Sequence, residues 1–387
     1  MTLPDSAIIA AMRYAKNQPL LGGLTPSVFL KQHWQKKPLY VQGAIPDCGA
    51  WLSRESLFQM ATRDDVESRL VTHQRGQWGL RHGPFRIKTL RNLPRGGWSL
   101  LVQGLETMQS EAADLLKAFS FVPHARLDDL MASYAPAGGG VGPHFDSYDV
   151  FLLQGAGTRR WRTSRQRDLT LVNNAPLRIL QRFRGTAEWT TRQGDLLYLP
   201  PHCAHEGVSI DDAMTLSVGF RAPRTQELTS RFLDYLQDTL ELDGIYQDPD
   251  LKPQAHPGEL SQVMITRMAR MLQKVSADIN DVREFAGRYL TEPKPHIVFQ
   301  RPKPALALPA FARRALTTGV RLALPTRMLL HGLTACINGE ALNVTRAHRV
   351  VMLYLADHRE LPAQKITPAA AAILHPWYRA GYVELGC

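Results

Sequence analysis

Between residues 69 and 221 the chain runs in short apolar or alternating stretches cut by glycine and proline, such as Ser99-Leu100-Leu101-Val102, Val150-Phe151-Leu152-Leu153 and Asp195-Leu196-Leu197-Tyr198-Leu199. Runs of this length and spacing predict antiparallel strands folded as a sandwich or barrel. Ahead of them, Thr25-Pro26-Ser27 supplies a helix cap with proline in the first turn, and Val28, Phe29, His33 and Trp34 follow at helical spacing. Pro38 ends that helix before the extended Leu39-Tyr40-Val41. Beyond Pro223 the period becomes helical: Leu228, Phe232, Tyr235, Leu236 and Leu240 share one face, and Met264, Met268, Met271, Leu272, Val275 and Ile279 another. Such stripes mark an internal core or a dimer seam rather than a cofactor box. Asp248-Pro249-Asp250-Leu251-Lys252-Pro253 reads as the loop between them, and Glu292-Pro293-Lys294-Pro295 with Arg301-Pro302-Lys303-Pro304 as a linker into a last unit. There Asn338-Gly339 signals a hairpin, residues 345–358 a helix and residues 381–385 a terminal strand, an order that suggests a winged helix. The predicted class is mainly β plus α.

Composition narrows the picture. A chain of 387 residues holds two or three domains, and 44% hydrophobic with 21% charged residues excludes whole-chain disorder. Forty-six basic against 35 acidic side chains leave +11, an excess that favours an anionic partner such as RNA. Cys48, Cys203, Cys336 and Cys387 form no C-x-x-C pair, so neither a disulfide framework nor a zinc ribbon is indicated and a cytoplasmic setting is expected. Residues 1–21 carry Asp5, Arg13 and Lys16 through their apolar positions and lack the order of a secretory signal. No apolar run is long enough to predict a membrane span.

Candidate chemistry concentrates in two segments. His144-Phe145-Asp146 places two ligand-type side chains at i and i+2, on one face if the segment is a strand. Alone, the pair also fits a polar patch on a sheet surface. The later run Gly194-Asp195-Leu196-Leu197-Tyr198-Leu199-Pro200-Pro201-His202-Cys203-Ala204-His205-Glu206-Gly207 reads as a turn, a buried strand, a proline loop and a histidine opening the next strand. The interval from Asp146 leaves room for several short strands that would bring His205 beside the first pair. Two histidines and one carboxylate on one face of iron leave positions open for a chelating cosubstrate and O₂, the arrangement of non-heme Fe(II) oxygenases. His202 is a rival third ligand; His205 is preferred because His202 sits in the proline loop. Past the turn Gly155-Ala156-Gly157, Arg159 and Trp161 would point inward if Arg160 and Arg162 point outward, and Arg159 could then clamp the far end of a dicarboxylate. Arg160, Arg162, Arg165 and Arg167 read as a solvated basic surface. Gly138-Gly139-Gly140-Val141-Gly142 does not satisfy G-x-G-x-x-G and reads as a flexible lid beside the metal. Asp195 reads as a turn residue and Cys203 as a packed thiol.

At this point the chain resembles the JmjC-type ribosomal oxygenases of the cupin superfamily, and among them the bacterial branch that hydroxylates an arginine of large-subunit (50S) ribosomal protein sixteen. The resemblance rests on His33-Trp34-Gln35-Lys36-Lys37-Pro38-Leu39, Ser68-Arg69-Leu70-Val71-Thr72-His73-Gln74, Pro136-Ala137-Gly138-Gly139-Gly140-Val141-Gly142-Pro143-His144-Phe145-Asp146 and Tyr198-Leu199-Pro200-Pro201-His202-Cys203-Ala204-His205-Glu206-Gly207, continued by Ser217-Val218-Gly219-Phe220-Arg221-Ala222-Pro223. It covers most of the chain and is weakest after Pro302. It implies a double-stranded β-helix (jelly-roll, cupin/JmjC) in residues 1–223, a helical dimerisation domain in 224–300 and a winged helix in 301–387. It further implies Fe(II) held by His144, Asp146 and His205, and 2-oxoglutarate held at its distal carboxylate by Arg159. Oxidative decarboxylation of that cosubstrate with O₂ would accompany hydroxylation of an arginine β-carbon. One departure is His202, where cupin motifs commonly carry glycine.

A substrate pocket follows as a hypothesis. Asp129 shares strand parity with Met131 and Ser133 and could accept a guanidinium, Tyr148 could stack on its face, and Ser217 could add a hydroxyl contact. The plain alternatives are a strand-end turn acid for Asp129 and a core position for Tyr148. The same metal chemistry would serve histidine hydroxylation or N-methyl-lysine demethylation. From another class comes a non-catalytic cupin with a winged helix that binds RNA or DNA, which predicts a broken triad or no carboxylate clamp. A cupin isomerase or small-molecule dioxygenase would not need two extra domains. The positive charge sits oddly with a basic ribosomal protein; a substrate lying on ribosomal RNA, with the winged helix touching phosphate, would reconcile them.

Overall fold

The computed structural model describes residues 20–249, 252–253, 260–273, 275 and 277–386. Most of the N-terminal stretch read above, and Asp250 and Leu251 of the predicted loop, lie outside the described residues. The chain divides into two compact units, one of Met1–Ala222, Pro293–Thr326 and Arg359–Cys387, the other of Pro223–Glu292 and Arg327–His358.

The first unit begins with α1 (Pro26–Gln32), capped by Thr25, whose hydroxyl accepts from Val28 N–H at 3.3 Å. Then come β1 (Leu39–Val41), α2 (Arg54–Met60), β2 (Ser68–Gln74), β3 (Gln77–His82), α3 (Ile87–Arg91), β4 (Trp98–Val102), α4 (Ser110–Lys117) and β5 (Leu127–Ala135). β6 (Val150–Ala156), β7 (Arg159–Ser164), β8 (Ala187–Thr191), β9 (Leu196–Leu199), β10 (Ala204–Ser209) and β11 (Ala213–Phe220) complete the sandwich. Eight strands pair in the order β1-β9-β6-β11-β5-β4-β2-β3, and a second sheet has the order β10-β7-β8.

Burial patterns separate the two sheets. β4, β9 and β11 are buried at every residue, as expected of strands covered on both faces. On one face Phe151, Leu153, Tyr198, Leu216 and Val218 join the large core with Phe29, Leu57 and Leu115 of the helices. On the other, Val150, Leu152, Leu197 and Leu199 pack with Trp161 and Cys203 from the small-sheet side. Since Leu130, Ala132 and Tyr134 belong to the helix-side core, alternation turns Asp129, Met131 and Ser133 toward the small sheet. The same parity turns Thr215 and Ser217 of β11 that way.

The His33–Leu39 stretch braces this frame. Asp149 is fully buried, accepts from the Tyr198 hydroxyl at 2.6 Å and from Gln35 Nε2 at 3.0 Å, and lies 3.5 Å from Arg126 Nη2. Trp34 stacks on Tyr198 at 6.0 Å, and the Arg126 guanidinium lies over the Trp34 ring at 5.6 Å. These bonds fix the start of β6, directly after the segment that carries His144 and Asp146.

In the second unit lie α5 (Thr225–Thr239), α6 (Gln262–Leu272) and α7 (Ile279–Thr291). The stripe from Met264 to Ile279 is not one helix face. α6 ends at Leu272, and Asp278 opens α7 by accepting from the N–H groups of Asn280 and Asp281, so Ile279 belongs to a new helix. Phe232 and Tyr235 of α5 pack on Phe285 of α7, whereas Met268, Leu272 and Ile279 stay 48%, 68% and 60% exposed. Farther on, the first unit contains α8 (Leu308–Thr318) and β12 (Val320–Leu322); the second contains the sheet β13 (Met328–His331), β14 (Thr334–Ile337), β15 (Glu340–Asn343), and α9 (Arg346–His358). Ile337 pairs with Glu340 across Asn338-Gly339, both with positive φ (47° and 87°), the mirror-type turn that suits strand twist. β16 (Glu360–Leu361), α10 (Pro368–Ala380) and β17 (Val383–Leu385) return to the first unit, where β12 pairs with both strands. Among the described residues no helix is long and apolar enough to cross a membrane.

Candidate metal and cosubstrate site

His144, Asp146 and His205 converge with their ligand atoms within 4.8 Å of one another. They reach that point differently from the strand geometry read in the sequence. His144 makes a lone antiparallel bridge with His205, N–H to carbonyl in both directions at 2.9 and 2.8 Å, and residues 145–149 leave the ladder. Gly142, at φ 79°, and Pro143 bend the chain in front of His144, so only one residue can pair. Asp146 is then held from the proline loop, where His202 N–H donates to its carbonyl at 2.7 Å. The His202 ring itself is exposed, at φ 60°, and lies outside the convergent group.

The donor set fits a divalent metal. His144 Nδ1 lies 2.8 Å from Gly142 O and His205 Nδ1 lies 2.9 Å from Cys203 O. A carbonyl can only accept, so both Nδ1 atoms carry the proton and both Nε2 lone pairs are free for a metal. His205 Nε2 is 3.7 Å from Asp146 Oδ2. Burial, with the neighbouring His144, pushes His205 down to about 4, which keeps it neutral and ligand-ready at physiological pH. The unfolded chain therefore takes up the proton first, and this contribution to stability is complete above about pH 6.5 and lost as pH falls toward 4. The urea midpoint of metal-free protein, minus that of His205→Gln, should fall through that window. A difference that stays flat contradicts the assignment.

Beside the triad lies a cation without a counter-ion among the described residues. β7 alternates as predicted, with Arg159 and Trp161 buried and Arg160 exposed. In the ladder His205 faces Thr163, Gly207 faces Trp161 and Ser209 faces Arg159, which puts the Arg159 backbone about 13 Å along the strand from the level of His205. Gly207 is required there: a Cβ would stand 2.5 Å from the Trp161 ring. Arg159 is 4% exposed, and its side-chain hydrogen bonding among the described residues is a long 3.5 Å contact from Nη1 to Ser133 Oγ. Its Nε and Nη2, and the Trp161 Nε1, are buried donors without a partner among the described residues. Burial lowers Arg159 to about 10, so it stays charged. An unpaired buried guanidinium is costly unless a ligand completes it, and the ligand chemistry that does so is a carboxylate.

The other predicted residues gather on the opposite wall. Asp129 stands within β5, 7% exposed, rather than at a turn. Tyr148 is 39% exposed rather than core, and both flank Gly219, whose Cβ would lie 3.4 Å from Asp129 Oδ1 and 4.0 Å from the Tyr148 ring. Ser217 faces Met131 across the β5–β11 pair. Sequence reasoning missed three neighbours. Lys294 Nζ lies 3.2 Å from Asp129 Oδ2, and Gln103 Nε2 donates to the same oxygen at 3.3 Å. Burial works against the Lys294 charge, but Asp129 and Asp128 outweigh it and hold its pKa above the ordinary value. Arg69, within a stretch that carries the family resemblance, reaches Met131 Sδ at 3.9 Å and has a buried, unpartnered Nε. Lys294 sits in the proline-flanked linker, and nothing local to the sequence points it at Asp129.

The glycine run is no flexible lid. Gly138 N–H donates to Ser209 O and Ser209 N–H to Gly139 O, and a Cβ on Gly140 would stand 2.4 Å from Gly207 O. These glycines let the backbone lie against β10 and thereby fix His144.

The JmjC domain family matches residues 114–228, and the ROXA-like winged helix matches residues 274–384, starting inside the stretch 224–300. The chain is 35% identical over 366 residues to ribosomal protein uL16 3-hydroxylase of Escherichia coli (strain K12), covering 92% of this chain and 96% of that one. A probable ribosomal oxygenase of Haemophilus influenzae is 37% identical over 233 residues, 59% of this chain and 55% of that one. Among solved structures, E. coli YcfD superposes with a TM-score of 0.82 at 32% identity, over 94% of this chain and 98% of that chain. The same protein in complex with cobalt and 2-oxoglutarate superposes with a TM-score of 0.79 over the same shares.

Proposed function

The chain belongs to the JmjC-type ribosomal oxygenases, and from that premise we propose that it is an Fe(II)- and 2-oxoglutarate-dependent hydroxylase acting on an arginine of 50S ribosomal protein uL16. When bound, iron with 2-oxoglutarate and O₂ supplies the oxidant that inserts one oxygen into an unactivated C–H bond, leaving succinate and CO₂. In this reading His144, Asp146 and His205 would hold the metal, and three protein ligands would leave positions for the cosubstrate and O₂. Arg159 takes the distal carboxylate through its unpaired nitrogens, and Trp161 excludes water between the two anchor points. Asp129 accepts the substrate guanidinium, with Tyr148 against its face and Ser217 beside it. The observation that carries the proposal is the pairing of a convergent His-Asp-His triad, its two imidazoles fixed in tautomer, with a buried guanidinium that has no counter-ion among the described residues. A non-catalytic RNA- or DNA-binding cupin has use for neither.

The division into a catalytic domain (1–223), helical dimerisation domain (224–300) and winged helix (301–387) belongs to this proposal. So do a homodimer, a cytoplasmic setting and contact with ribosomal RNA. The exposed apolar side of α6 supports a seam between two copies.

Asp129→Asn tests the target residue type. Losing the charge that faces a guanidinium should lower kcat/KM on an arginine peptide on the order of a hundredfold, with metal and 2-oxoglutarate binding unchanged. Unaltered turnover, or oxidation of a histidine peptide that is insensitive to the substitution, removes arginine as the target.

A further inference from the structure

We propose that the loop between β7 and β8 docks the phosphate backbone of RNA beside the metal site. Residues 165–186 carry Arg165, Arg167, Arg178, Arg182 and Arg184 against the single acid Asp168. All five arginines are exposed, and none is in an ion pair among the described residues. Asp168 is itself exposed, and its carboxylate is engaged locally, accepting from the hydroxyl and N–H of Thr170 at 2.6 and 3.1 Å. The sequence reads these charges as a solvated surface, and solvation alone would leave such a loop free to spread its charges apart.

The structure holds them together instead. Gln166 staples the two ends: its Nε2 donates to the carbonyls of Asp168 and Arg182, and its Oε1 accepts from Arg184 N–H. Leu171 bridges Leu180, and Leu180 N–H donates to Pro143 O at 2.8 Å, one residue before the ligand His144. Arg178 lies over the Phe145 ring at 5.0 Å, between the two ligands of the His144–Asp146 segment. The outcome is a held backbone that carries five exposed planar forks beside the metal site. Guanidinium forks match phosphate geometry, and a surface of arginine with aromatic faces suits single-stranded RNA. A lysine-rich amphipathic helix, the membrane-surface alternative, is not what the loop offers. RNA held here would also meet the charge difficulty of a basic enzyme with a basic substrate, because the shared polyanion recruits both.

The use assigned to this surface rests on the ribosomal-protein reading, but the contact is measured without turnover. Full-length protein, free of metal and cosubstrate, is titrated against a fluorescein-labelled single-stranded RNA of mixed sequence at several salt concentrations. In R165Q/R167Q/R182Q/R184Q the slope of log affinity against log salt should shrink by about 3, and affinity near 0.1 M salt should drop on the order of a hundredfold. The matching four Arg→Lys changes should keep most of the slope. Cross-links from a 4-thiouridine-containing RNA to the unaltered protein should fall within residues 165–186, a readout that holds even if the glutamine variant fails to fold. An unchanged slope in a folded glutamine variant overturns the proposal, as do cross-links confined to residues 327–358. Arginine-dependent binding to phosphatidylserine vesicles with none to RNA overturns it too.

Discussion

Replacing Arg159 by methionine should make the ligand-free protein more stable, by about 1–3 kcal/mol, while weakening 2-oxoglutarate binding on the order of a hundredfold. The two effects share one origin. In the absence of ligand the guanidinium is buried with Nε and Nη2 unpaired, so folding bears a desolvation cost that the long Ser133 contact and the Trp161 ring return only in part. Methionine has similar length, fills the space beside Trp161 and Ser133, and carries no charge. The cosubstrate's distal carboxylate then loses its charge-assisted fork and must itself be buried unpaired. Denaturant unfolding of the unliganded protein reads the first effect; titration with 2-oxoglutarate in the presence of Mn²⁺ reads the second. A variant that is less stable and binds equally well would mean that Arg159 is a structural arginine.

Asp146→Ala should abolish hydroxylation, with a loss of at least about a thousandfold, and should lower metal affinity without unfolding the protein. Asp146 supplies the only negative charge of the group, and the Nδ1–H bonds of the two histidines to Gly142 O and Cys203 O leave Nε2 as the ligand atom of each. Without the carboxylate, a divalent cation is left with two neutral ligands in a partly buried setting. Asp146 is not part of the buried Asp149–Tyr198 network, so the melting temperature of metal-free protein should barely move. Metal content after dialysis and succinate release measure the effect. Full turnover in this variant would remove Asp146 from the ligand set.

How far the sequence reaches differs from place to place. The small sheet is legible because β7 alternates, buried and exposed, as only a half-covered strand does, and that alternation put Arg159 inside and Arg160 outside. β9 and β11 read as strands, but their continuous burial hides which residues face the site; only the register with β5 and β6 separates Ser217 from Leu216. The triad was readable from residue type and spacing, whereas its local geometry was not: the bend at Gly142-Pro143 turns an expected strand into a single bridge. In the glycine run composition cannot tell freedom from crowding, and the missing side chains serve a close backbone approach to β10 at Gly207. Lys294 was invisible, since its partner Asp129 lies far away in sequence and a proline-flanked lysine otherwise reads as linker. The stripe from Met264 to Ile279 looked continuous because helical period was counted across Asp278, a residue whose capping bonds begin a new helix.

Under the proposed function, His144, Asp146, His205 and Arg159 together serve the oxidation of an arginine of ribosomal protein uL16. The most direct test is mass spectrometry of purified protein uL16 after incubation with the enzyme, Fe(II), 2-oxoglutarate and O₂, alongside His144→Ala. One added oxygen on an arginine, at its β-carbon by fragmentation, matched by succinate and absent with the variant, is the predicted result. Succinate formed while protein uL16 keeps its mass would contradict the substrate assignment, and neither product from metal-loaded enzyme would contradict the oxygenase itself.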